Sequence, residues 1–114
     1  MASGADVRFF DFAPSYPGAN ITLARASKVT QDGTTDEGAL VEARFSTLDS
    51  PDEVRDFYRS RLRSSGFARV DVGPDGPNAT RISASSQGPD RMAEVIITSN
   101  DGPTHVLLIS GRKI

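Results

Sequence analysis

Apolar positions in the stretch S-P-D-E-V-R-D-F-Y-R-S-R-L-R-S-S-G-F, residues 50–67, recur at intervals of three and four. At 100° per residue, Val54, Phe57, Tyr58 and Leu62 share one face of a helix, while Asp52, Arg55, Asp56, Arg59, Ser60 and Arg63 share the other. Both ends are marked as well. Ser50 suits the N-cap and Pro51 the first helical position, where a missing N–H is harmless. Glu53 stands where a capping box needs it, reaching back to the Ser50 N–H. Gly66 suits the left-handed residue that ends a helix, with Phe67 folding back onto Leu62. These signals predict a helix over 51–65. Acids gather at its start and arginines toward its end, as the helix dipole favours. Arg61 breaks the pattern by projecting from the middle of the apolar face.

Elsewhere the period is two. Residues 39–47 alternate cleanly, predicting a strand with Val41, Ala43 and Phe45 inward and Glu42 and Arg44 toward solvent. Residues 20–30 predict a strand with Ile21 and Leu23 inward, and the polar loop between these two strands implies an antiparallel hairpin leading into the helix. Beyond the helix, strands are expected at 67–72, 79–86, 91–99 and 104–110, separated by G-P-D-G-P-N, Q-G-P-D and N-D-G-P. The apolar run Val95-Ile96-Ile97 marks a more central strand, whereas Ile82 is the one large apolar residue of the 79–86 segment. The Tyr16-Pro17-Gly18-Ala19 stretch predicts a type II turn, anchored by Tyr16. Residues 6–13 hold three of the six phenylalanines and read as an edge strand or an extended arm over the core, because exposed aromatic clusters are uncommon on monomers.

The resulting order, β-β-α-β-β-β-β, predicts an α+β fold: an antiparallel β-sheet with one α-helix packed on one face. Residues 1–13 read as an N-terminal arm or an artificial start, and residues 14–114 as a single domain. With 114 residues, a single modest core is feasible.

Composition removes several chemistries. There is no cysteine, hence no disulfide, thiolate nucleophile or zinc–thiolate site. A net charge of −2 argues against non-specific nucleic-acid binding. No stretch approaches the roughly 20 apolar residues that span a bilayer. His105 is the one histidine; Asp101 with Ser64, Ser65 or a serine of the S-A-S-S run (residues 83–86) could complete a triad only by a tertiary coincidence, with no G-x-S-x-G elbow present. The acids of residues 32–37 lack the spacing of a calcium loop, and the glycine-rich G-P-D-G-P lacks the lysine of a phosphate loop. No cofactor and no metal are expected. The arginine stripe Arg55, Arg59, Arg63 reads as a solvated helix face. Arg61 must either snorkel past the helix edge or meet an acceptor; beside Tyr58 it would line a helix–sheet groove able to hold an anionic group.

The combination of Y-P-G-A (residues 16–19), a strand, and the V-x-x-F-Y-x-x-x-L helix ending in Gly66-Phe67 resembles small uncharacterised domains of proteobacterial exported proteins and lipoproteins. The resemblance implies a periplasmic or cell-envelope setting, membrane contact only through an N-terminal anchor that this chain does not show, and no enzymatic activity. The expectation is a non-enzymatic domain that binds a protein or envelope component through its exposed sheet face, the Phe9–Phe12 arm (Phe10 and Phe12 above all) or the Tyr16 loop. The alternatives are a small-ligand binder using a groove with Arg61 and Tyr58, and a cytoplasmic regulatory domain.

Overall fold

The computed structural model describes residues 8–30, 37–86, 91–99 and 102–113. Strands β1 (Asn20–Thr30) and β2 (Glu37–Thr47) precede helix α1 (Pro51–Ser64), followed by β3 (Arg69–Pro74), β4 (Ala79–Ser85), β5 (Arg91–Ser99) and β6 (Thr104–Lys113). All six strands form one antiparallel sheet in the order β1-β2-β6-β5-β4-β3. The last strand is thus drawn into the middle, where it joins the β1–β2 hairpin to the β3–β4–β5 meander.

The expected α+β layering, a sheet with a helix across one face, is corrected by this arrangement. The fold is mostly antiparallel sheet, and its single 14-residue helix meets β3, β4 and β5, not the whole face. At a rise of about 1.5 Å per residue, such a helix is about 21 Å long and one helix wide, too narrow to cover six strands about 4.8 Å apart. Residues 8–19 supply the rest of the cover. They form no strand: the Ala13 N–H donates to the Phe10 carbonyl at 3.0 Å, closing a turn. That turn brings Phe10 and Phe12 to one side, their rings stacked at 5.1 Å. Phe12 meets Phe67 edge-on, and the Tyr58 hydroxyl donates to the Pro14 carbonyl at 2.8 Å. The segment therefore runs back along the flank of α1, and Phe12, Ala13 and Tyr16 are buried in the same core as Phe45, Val54, Leu62, Val95 and Leu108. Apolar area removed from water at about 25 cal/mol per Å² stabilises this layer as it does the helix.

The caps of α1 follow the sequence with one difference. The Ser50 hydroxyl accepts from the Glu53 N–H at 3.2 Å, and Glu53 receives that same hydroxyl on its carboxylate instead of the Ser50 N–H. Ser65 ends the helix, its N–H donating to the Arg61 and Leu62 carbonyls, and Gly66 follows at φ +84°, a conformation that strains any residue with a Cβ. Arg91, at the start of β5, lays its guanidinium over the rings of Phe67 and Phe12, 4.5 and 5.4 Å from their centroids.

One inward assignment changes face. Ile21 pairs with Phe45 but Leu23 pairs with Arg44, so Thr22 is an extra residue and a β-bulge. The inserted residue reverses the alternation and sends Leu23 to the outer face, where it is 37% exposed. Thr22 uses the irregularity, donating its hydroxyl to the Arg44 carbonyl. The β2 assignments Val41, Ala43 and Phe45 inward, and Glu42 and Arg44 outward, agree with the observed burial. On β6 the fully buried Ser110 hydroxyl has no hydrogen-bond partner among the described residues.

Candidate functional site

A shallow cleft of about 690 Å³ runs along the exposed shoulder of α1, lined by Tyr16, Glu53, Asp56, Phe57, Ser60, Arg61 and Ser64. Its floor is aromatic. Burial on α1 centres on Val54, Tyr58 and Leu62, each fully buried, which leaves Phe57 half-exposed at the margin and Arg61, one turn later, in solvent. Arg61 is therefore not inside the apolar face. The helix is rotated so that Tyr58 is buried against the sheet, and Arg61 lines the cleft together with Phe57.

The Tyr16 loop closes the other side. Gly18 at φ +76° and the Ala19 N–H donating to the Tyr16 carbonyl form the turn expected of Pro17-Gly18. The Tyr16 ring meets Phe57 edge-on at 5.1 Å, and its hydroxyl donates to the Asp49 carboxylate at 2.5 Å. That bond, then burial, then the negative charges of Asp49 and Glu53 push the Tyr16 hydroxyl up to about 12. It is a fixed, protonated wall of the cleft, with its one hydrogen already committed.

The charges of the rim are unequal in availability. Asp56 is held by Arg55 at 3.1 Å, and Glu53 accepts from the Ser50 hydroxyl. Arg61 forms no side-chain hydrogen bond or ion pair among the described residues. The cleft thus offers an aromatic floor and one uncommitted guanidinium with five donors.

The structure brings together Tyr16 and Arg61, and adds Phe57, which the sequence placed in the core. Tyr58 lies beneath them, fully buried, with its hydroxyl spent on Pro14; burial pushes that hydroxyl far upward. Phe12 stacks on Phe10 and meets Phe67 just beyond the C-terminus of α1, and neither Phe10 nor Phe12 lines the cleft. His105 is exposed on the opposite face of the sheet, whereas Ser64 lines the cleft and Ser65 caps the helix; Asp101 lies outside the described residues. The acids of residues 32–37 also lie outside them, apart from the backbone of Glu37. Among the described residues no group of three His, Cys, Asp or Glu side chains could hold a metal ion, and no helix is long and apolar enough to cross a membrane. Phe57 could have been singled out from the helical wheel, since it stands 100° from Tyr58, at the edge of the stripe.

The described residues thus form an antiparallel sheet, a core beneath one helix, and an open cleft lined by Tyr16, Phe57 and Arg61. The chain belongs to the START domain-like family, whose model matches residues 25–102. Membership points to a ligand-binding domain and gives the sheet-dominated fold its class; it carries nothing about exported proteins, an envelope location or protein binding. None of the curated proteins and none of the solved structures matches the chain.

Proposed function

We propose that this protein binds a small amphipathic molecule in the cleft beside α1, without catalysing a reaction on it. The ring or alkyl part of the ligand rests on Tyr16 and Phe57, and its anionic group meets Arg61. The observation that carries the reading is Arg61: a guanidinium with no hydrogen bond or ion pair among the described residues, lining the same cleft as Tyr16 and Phe57. Hydrogen bonds to a charged donor contribute about 1.5–3 kcal/mol where water is partly excluded, enough to select an anion over its neutral analogue. Beneath the cleft, Phe45, Tyr58, Leu62, Ile97 and Leu108 are 0–2% exposed.

The test is a fluorescence titration with 8-anilinonaphthalene-1-sulfonate, an aromatic anion. Arg61→Ala is expected to raise its Kd about tenfold, and Phe57→Ala at least as much. Equal affinity in the wild type and both variants would remove the cleft from consideration. An envelope setting is proposed on the resemblance of the Tyr16–Ala19 turn and the α1 pattern alone. Recovery of the native gene product in the cytosolic fraction would end it.

A further inference from the structure

We propose that the outer face of the sheet, opposite α1, is a self-association surface on which a second copy of this chain packs face to face. The register of the six strands gives the layout of that face. Ser27, Leu40, Gly111, Met92 and Ser85 form one cross-strand row. The next is Arg25, Glu42, Ile109, Glu94 and Ser83, and the next Leu23, Arg44, Leu107, Ile96 and Arg81. At the centre, on β6 and its neighbours, Leu107 and Ile96 stand directly opposite each other, with Ile109 one step along and Leu40 and Met92 closing over Gly111. These side chains are partly exposed, Leu23 and Met92 at more than a third. A contiguous apolar patch of this kind on a solvated face marks an interface.

Charge and size together select the occupant. The face carries Arg25, Arg44, Arg69 and Arg81 against Glu42, Asp71 and Glu94, nearly balanced, so it repels neither a copy of itself nor attracts a strongly charged partner. Its acids are mostly paired internally: Arg25 with Glu42, Arg81 with Glu94, Arg69 with Asp71. Arg44 alone among these has no carboxylate partner among the described residues. A two-fold axis in the plane of contact, perpendicular to the strands and level with Leu108, sets each Glu42 opposite Arg44 of the second copy and each Ile109 opposite Leu107 of the second copy. The free Arg44 then gains a carboxylate twice over, and the apolar centre closes on itself. A hollow of about 360 Å³ between Arg25, Leu40, Glu42 and Ile109 lies where the second copy's Leu107 and Arg44 project. Six strands spaced about 4.8 Å and three rows about 7 Å apart cover about 600 Å² per partner, at the lower edge of what a stable dimer buries. This inference is independent of the cleft, which lies on the other side of the sheet.

The experiment is sedimentation velocity of the wild type and variants over a concentration series, with circular dichroism to verify folding. A monomer–dimer equilibrium is expected for the wild type. Leu107→Asp should raise the dimer dissociation constant about 100-fold, because the change acts twice across the axis. Glu42→Arg and Arg44→Glu should each raise it about tenfold, and the double variant E42R/R44E should recover most of the loss, since the exchanged charges again face each other. A wild type that stays monomeric at several hundred micromolar overturns the proposal and leaves the face to a different protein. A dimer insensitive to Leu107→Asp overturns it equally. Failure of the double variant to recover while Leu107→Asp dissociates the dimer overturns the two-fold arrangement.

Discussion

The two faces of the β-sheet are built from the same strands and both carry large aliphatic side chains, yet only one is a core. Within the β6 run Val106-Leu107-Leu108-Ile109, the inward pair is 0–3% exposed while the outward pair is only half-buried by its neighbours. Nothing in the type of side chain separates them. The difference lies in the second layer, α1 with residues 8–19, which covers one face and leaves the other to alternating arginines, carboxylates and aliphatics. A sheet position is therefore assigned to the core by what is placed over it, as much as by its hydrophobicity.

That contrast can be broken most severely from the covered side. Leu62→Ala, which empties the centre of the α1–sheet contact, should lower the unfolding free energy by about 3–5 kcal/mol in denaturant titrations. Ile109→Ala, measured at a protein concentration low enough to keep the chain monomeric, should change it by less than about 1 kcal/mol. Similar losses at the two positions would mean that the outer face is also covered. Phe12→Ala comes next, at about 3 kcal/mol, because the ring is buried between Phe10, Phe67 and the Arg91 guanidinium. A loss near zero would show residues 8–19 to be an appendage and α1 the whole of the second layer.

The smallest effect sharpens the boundary between cover and cleft. Tyr16 should ionise near pH 12 in the folded protein, against an ordinary value of 10, when followed by ultraviolet absorbance. Its folded pKa is raised, so the neutral phenol contributes stability that is fully present below pH 10 and is lost as the pH rises toward 12. Asp49→Asn removes the carboxylate that accepts its hydrogen and should return it toward 10; an unchanged titration would show that burial, not Asp49, sets the value.

Much of this architecture is legible locally. The limits of α1, the inward set of β2 and the turn at Gly18 rest on interactions among residues a few positions apart, and the chain states them in its caps, its period and its glycines. The bulge at Thr22 is not stated. It inserts a residue with ordinary strand chemistry, and only its pairing with β2 reveals that Leu23 has changed sides. Nor is the fate of Arg61 legible. A helical wheel gives angles between side chains but not the direction in which the sheet lies, and a rotation of that direction toward Tyr58 moves Arg61 from an apolar face to an open cleft. The Phe10–Phe12 cluster reads as a cover for the core, with a partner surface as the alternative, but aromatic content reports the need for burial without naming the surface that meets it.

By itself, then, the amino-acid sequence determined one capped helix, a succession of strands with alternating faces, and the absence of cysteine chemistry. The tertiary structure alone decided that β6 enters between β2 and β5, that residues 8–19 complete the cover of the inner face, and that Tyr16, Phe57 and Arg61 share a cleft. The reason is physical. Caps, periods and turns are local interactions written within a few residues, whereas strand order and the junction of the Tyr16 loop with α1 depend on contacts between distant segments, which no single segment encodes.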